Sequence, residues 1–225
     1  SGRLTLGSLG RDFMTRVVDI EAGLMRTLGG LIRNPRPTIQ GWLDGRRKHY
    51  LHPFALLLIT ATLSVLMLQL FGESFTTEFR ATMGQMSGLR NEAARERFAD
   101  FWEMSYSLMP YWMLFFVLPV AALLRVLFPK RGYSIAEYWA ACIYAIGLGI
   151  LVDLPFSAAT GIGNVPMALQ IMITNLVLVL TQVYVLGRFL AAGWTGWLRV
   201  SVATLAGYFL AGLSQQVAAH FYAHA

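Results

Sequence analysis

Five stretches of this chain run for about twenty residues almost without charge, the length a helix needs to cross ~30 Å of hydrocarbon. They extend from Pro53 to Gly72, from about Met104 to Leu124, from Tyr138 to Ser157, from Asn164 to Gly187 and from Val200 to Tyr222. Asp153 is the one acid inside any of them. Ahead of the first span, Phe13, Val17, Ile20, Leu24, Leu28, Leu31 and Ile32 recur at three- and four-residue intervals, while Arg16, Asp19, Arg26 and Arg33 fall mostly off that line. This spacing predicts an amphipathic helix, lying on the inner leaflet or packed beneath the bundle, that ends at Asn34-Pro35. The charged connector 73–103 carries Phe75, Phe79, Met83, Met86 and Leu89 at helical spacing, which predicts one or two short helices capping the outer surface.

The pattern describes an all-α polytopic membrane protein with five transmembrane helices and an N-terminal amphipathic interfacial helix. Its expected divisions are a cytoplasmic amphipathic and basic region, 1–52, and a transmembrane domain, 53–225. Composition agrees: hydrophobic residues make up 56% of the 225 residues and charged ones 13%, about half the ~25% charged share of a soluble domain. The net charge of +6 is spread between apolar runs, so nucleic acid is excluded as a partner. One cysteine, Cys142, excludes a disulfide framework and a cysteine zinc site. Residues 1–52 lack the apolar core and cleavage site of a signal peptide.

Cations stay on the cytoplasmic side. Fourteen of the 18 lie in residues 1–52 and in the connectors 125–137 and 188–199. The other four, Arg80, Arg90, Arg95 and Arg97, share the 73–103 connector with six acids. Each connector fits an N-terminus inside and a C-terminus outside. Arg46, Arg47 and Lys48 then sit at the inner headgroups with Tyr50, each cation drawn to anionic lipid by ~1 kcal/mol. These residues are a lipid-headgroup or phosphorylated-ligand site, or a plain topological anchor. His49 and His52, with Asp44 upstream, lack a third strong ligand, so no metal or other cofactor is expected.

The run Leu24-Met25-Arg26-Thr27-Leu28 through Asn34-Pro35, followed by Gly45, Arg47, Tyr50 and Pro53 at fixed spacing, resembles a bacterial inner-membrane family of unknown function. Members join an N-terminal zinc ribbon, whose cysteines are absent here, to a multi-span helical domain. The resemblance covers about residues 20 to 65. It implies a membrane protein of the inner membrane and supplies no activity.

Ionisable residues deep in a span are costly and mark functional sites by default. Around Asp153, the residues Ala141, Ala145, Gly149 and Ser157 form a stripe, which Ala203, Gly207, Ala211, Gln215 and Ala219 match on the fifth span. Small residues at this spacing let backbones approach, so the expectation is that the stripes meet and bring Asp153 to Gln215. Ser157, Gln170, Asn175 and His220, with Gln69, Tyr106, Ser107 and Gln216, fall in the same outer half. They suggest an outward-facing polar cavity that binds or transports a small molecule or lipid. The competing expectation is a structural or regulatory membrane anchor, in which Asp153 and Gln215 are packing glue. A membrane-embedded enzyme is the weaker third, since no nucleophile elbow or glycine-rich phosphate loop occurs. Homo-oligomerisation stays open.

Overall fold

The computed structural model describes residues 23–47, 49–70, 72–162, 165–191 and 193–224, leaving aside the side chains of 68–70, 72–76, 106, 107, 109–111 and 160–162. Phe13, Val17, Ile20 and Lys48, with the side chains of Gln69, Tyr106 and Ser107, therefore lie outside the described residues. The described chain is all-α, without a strand. A helix over 23–33, α1, is followed by α2 (Pro35–Leu43), α3 (Pro53–Leu70), α4 (Gly72–Met86), α5 (Glu92–Ser107) and α6 (Met109–Leu127). A 3-10 turn, Pro129–Arg131, leads to α7 (Ile135–Ile162), α8 (Met167–Leu190) and α9 (Trp194–His224).

Among the described residues, three helices are long and apolar enough to cross a membrane: α8, α9 and the part of α7 from Ile135 to Ala159. The first two expected spans appear as α3 and α6, whose apolar stretches among the described residues are Pro53–Met67 and Trp112–Leu127. The helix α6 begins after a break at Leu108 (φ −95°, ψ 12°), with proline at its start. Residues 104–107, expected in the second span, thus belong to α5. Proline suits such a start because its missing N–H would have no partner there.

The centre of the bundle is α7. Every residue from Ala140 to Ile150 is buried, as befits a helix apolar on all sides. It packs against α3, α6 and α8, and its small residues set the spacing. A Cβ on Gly147 would lie 3.1 Å from Leu56 Cγ of α3, and one on Gly149 would lie 3.1 Å from Leu178 Cδ2 of α8. On α9, a Cβ at Gly207 would stand 2.9 Å from the Val120 backbone nitrogen of α6. The expected meeting of the α7 and α9 stripes is thereby corrected. Because α6 packs against both helices, Gly149 serves the α7–α8 contact and Gly207 the α6–α9 contact. Periodicity shows which face of a helix is small; it does not show which helix fills that face.

At one end, α1 and α2 pack onto the bundle, with Leu31 and Ile39 fully buried and Leu24 and Leu28 against the same core. Ile32, expected on that face, is exposed together with Met25. The Leu51 N–H donates to Thr27 Oγ1 at 2.8 Å, the Tyr144 hydroxyl to the Leu51 carbonyl and the Tyr184 hydroxyl to the Ile32 carbonyl. Arg131 donates to the Leu190 carbonyl at the end of α8 (2.6 Å), satisfying an acceptor that the helix leaves unpaired. At the other end, α4 and α5 pair as a cap. Phe79, Met83 and Ala99 meet Met167 of α8, while Phe98 and Phe101 meet Ala219 and Ala223 of α9. Arg80 ties the pair through Asp100 (2.7 Å) and Glu103. The connector expected to form one or two helices forms two, α4 and α5, and the beginning and end of the described chain sit at opposite ends of the bundle.

Candidate functional site

Between the cap and the helices below it lies a cavity of about 410 Å³, within the size range of small-molecule sites. All seven helices from α3 to α9 line it. One wall is polar and comes from α7, α8 and α9: Ser157, Gln170, Thr174, Asn175, Gln215 and Gln216. The lining also carries Met67, Met83, Met86, Met113, Phe79 and Phe116 from α3, α4 and α6. Methionine side chains, unbranched and polarisable, fill irregular space and adapt to what lies against them. Glu78, itself exposed, is the one charged side chain among the described lining residues.

Asp153 stands one layer behind this surface. Its side chain is 9% exposed, and its Oδ2 accepts hydrogen bonds from the Ser157 hydroxyl (2.7 Å) and the Thr174 hydroxyl (3.2 Å). Oδ1 is buried without a hydrogen-bond partner among the described residues. The spacing is helical: Ser157 follows Asp153 by four residues, one turn along α7, while Thr174 reaches across from α8. Asp153 therefore communicates with the cavity through two lining hydroxyls. Its partners are those hydroxyls rather than the Gln215 amide, because α8, not α9, covers this part of α7.

Of the other residues expected here, Ser157, Gln170, Asn175 and Gln215 line the cavity. Gln170 Nε2 donates to the Val165 carbonyl and Asn175 Nδ2 to the Ile171 carbonyl, both at 2.8 Å. This leaves the two amide oxygens as acceptors. His220 lies outside this cavity. It lies about one turn beyond Gln216, against the Phe98 ring (5.2 Å between centroids), with Nδ1 3.0 Å from the Gln216 carbonyl. The 31-residue α9 is about 46 Å long at 1.5 Å per residue, so its last turns overshoot the cavity and pack on the cap.

Sequence reasoning missed Trp102 and Ser105 on α5, Trp112 on α6 and Tyr208 on α9, which also line the cavity. The Trp102 Nε1, Ser105 Oγ, Trp112 Nε1 and Tyr208 Oη atoms are each buried without a hydrogen-bond partner among the described residues. A periodic signal for part of this wall existed. Tyr208, Gly212, Gln215 and Gln216 fall at the four- and three-residue steps of one α9 face.

The basic segment at the opposite end is a separate surface. Arg46 and Arg47 are exposed, and the Arg47 guanidinium lies 5.3 Å from the centre of the Trp42 ring. Gly45 adopts φ +91°, and two bonds, Arg46 N–H to the Gly41 carbonyl (2.9 Å) and Gly45 N–H to the Trp42 carbonyl (3.1 Å), close α2 with a Schellman turn. Tyr50 packs on Gly41, where an added Cβ would come within 2.8 Å of its ring. No group of three His, Cys, Asp or Glu side chains converges among the described residues.

A family model described as "Protein of unknown function (DUF3667)" matches residues 21–65, the stretch from the start of α1 to the middle of α3. No curated protein and no solved structure matches the chain. The matched segment, similar to that uncharacterised family, takes in the basic end and runs along α3 as far as Ser64 at the cavity.

Proposed function

We propose that this is a five-span inner-membrane protein that binds, and carries or presents, a small molecule or lipid in the cavity beneath the α4–α5 cap. The observation that supports this reading is the cavity itself, lined by polar side chains backed by Asp153 and by adaptable methionines and phenylalanines. The membrane placement rests on the outer faces of the helices. Leu58, Leu63 and Leu66 of α3, Phe115 and Leu118 of α6, Met172, Leu176 and Leu180 of α8, and Leu205, Phe209 and Leu213 of α9 are all exposed. Apolar coverage on this scale is rare in water and suits contact with lipid chains. Because it includes α3 and α6, it supports five crossings. The cation-rich end, with Arg46, Arg47 and Lys48 at anionic headgroups, faces the cytoplasm, and the capped end faces outward.

The test uses Gly212, whose added Cβ would meet open space. Gly212→Cys should react with a water-soluble maleimide added from the outer side of membrane vesicles, and Gly212→Trp should fill the cavity without unfolding the chain. A Gly212→Cys protein that stays unlabelled while folded would refute the accessible cavity. The second reading, a regulatory or structural anchor, is favoured by one observation: the family match takes in the basic end. It predicts that Arg46→Glu with Arg47→Glu abolishes function while Gly212→Trp leaves it intact.

A further inference from the structure

The charge around the cavity has one sign. Glu78, exposed, lines it, and Asp153 stands one layer behind the lining. No lysine, arginine or histidine is among the described lining residues. Arg80 on the cap is already bound to two acids, Asp100 and Glu103, and these are the ion pairs found among the described residues. Asp153 therefore has no cationic partner in the described chain. It is 9% exposed and belongs to a stretch of α7 long and apolar enough to cross a membrane. A carboxylate so placed is costly unless a positive charge accompanies it.

The hydroxyls between Asp153 and the chamber pass its charge on rather than oppose it. Ser157 and Thr174 both line the chamber and both give their protons to Asp153 Oδ2 (2.7 and 3.2 Å). A hydroxyl whose proton is committed in this way can only accept from anything further. Gln170 and Asn175 donate to backbone carbonyls through their amide nitrogens and keep their oxygens as acceptors. Little water lies between Asp153 and the chamber to screen its charge, so it is felt there more strongly than it would be at a wet surface. The rest of the lining suits the body of a positive ion. The polar atoms of Trp102, Trp112 and Tyr208 are sealed from water, so what these three can offer an occupant is ring carbon. With Phe79 and Phe116 they place five aromatic side chains around one space. Aromatic faces attract cations, and the methionines beside them adapt to irregular apolar shapes.

We infer that the cavity takes an organic cation with an apolar body, its charge balanced by Asp153 through the Ser157 and Thr174 hydroxyls and its apolar groups among the aromatic and methionine side chains. An anion would meet two acids and no neutralising cation, and a neutral occupant would leave Asp153 uncompensated. The inference rests on the binding role proposed above and adds the ligand class.

The experiment is equilibrium dialysis of three phenyl-bearing probes against the full chain in uncharged maltoside micelles. Tetraphenylphosphonium is a cation, tetraphenylborate is an anion of the same shape, and triphenylphosphine oxide is neutral. Binding that Gly212→Trp lacks is counted as binding in the cavity, which removes simple partition into the micelle. Tetraphenylphosphonium should saturate at one site per chain, at a tenfold lower concentration than either other probe. Asp153→Asn deletes the charge while keeping an oxygen for both hydroxyls, and should weaken cation binding tenfold or more without strengthening that of the borate above it. Glu78→Gln, at an exposed position where water screens the charge, should weaken it by less. The preference of the parent chain for the cation is read whether or not the Asp153 variant folds. Cavity binding of the borate or the oxide as tight as that of the phosphonium would overturn the ligand class and leave the binding role standing. Cation binding indifferent to Asp153→Asn in a folded variant would do the same. If no probe binds in a way that Gly212→Trp removes, the ligand class falls, and the labelling of Gly212→Cys decides separately whether the binding role falls with it.

Discussion

Two glycines five residues apart on α9 offer a controlled test of the packing. A Cβ at position 207 would sit 2.9 Å from the Val120 backbone nitrogen, while a Cβ at 212 meets nothing within 4 Å. Replacing either by alanine removes the same helical penalty of glycine, about 1 kcal/mol. The two variants therefore differ only in what the new methyl group touches. At Gly207 the obstacle is backbone, which cannot rotate away as a side-chain tip can. To restore an ordinary contact of about 3.5–4.0 Å, α6 and α9 must separate by about 0.5–1 Å, forfeiting a quarter to a half of the attraction between the atoms displaced. Overpacking of this kind costs about 1–3 kcal/mol. Gly212→Ala should thus be neutral or stabilising by up to about 1 kcal/mol, and Gly207→Ala should fall about 1–3 kcal/mol below it. Tenfold in the unfolding equilibrium corresponds to about 1.4 kcal/mol, so the gap is measurable by SDS titration in mixed micelles followed by tryptophan fluorescence. Equal midpoints and slopes for the two variants would refute the close α6–α9 approach.

Other outcomes follow from single contacts. Thr27→Val keeps the shape of the side chain but leaves the buried Leu51 N–H without its acceptor, and should cost about 1–3 kcal/mol in the same titration. Asp153→Asn retains an oxygen for the Ser157 and Thr174 hydroxyls and should unfold within about 1 kcal/mol of the parent. Asp153→Leu strands both hydroxyls and should lose about 1–3 kcal/mol; equal losses in the two would show that these bonds do not matter. Cys142, fully buried, should resist maleimide in the folded protein and react once SDS unfolds it, as expected of a structural thiol.

The helices themselves were legible because their signal is local. Runs of apolar residues place α3, α7, α8 and α9 to within about six residues at either end. The polar set Ser157, Gln170, Asn175 and Gln215 was legible from shared depth alone. What sequence could not supply was lateral order. Nothing in the spacing of Gly149 or Gly207 says that α6 stands between their helices, so the partner of Asp153 was read as Gln215 when it is Thr174. Trp102, Trp112 and Tyr208 read as ordinary interfacial or core aromatics. Only the three-dimensional arrangement shows that the three residues line one space.

The cap is built from one uninterrupted excursion, from Gly72 to Ser107, that leaves the bundle after α3 and rejoins it at α6. The scaffold below does not pass through it. Its residues Phe79, Met83, Met86, Trp102 and Ser105 nonetheless make up a large part of the chamber's ceiling. The shape of the chamber can therefore be changed by exchanging a single stretch of chain, with the supports of Asp153 on α7 and α8 left untouched.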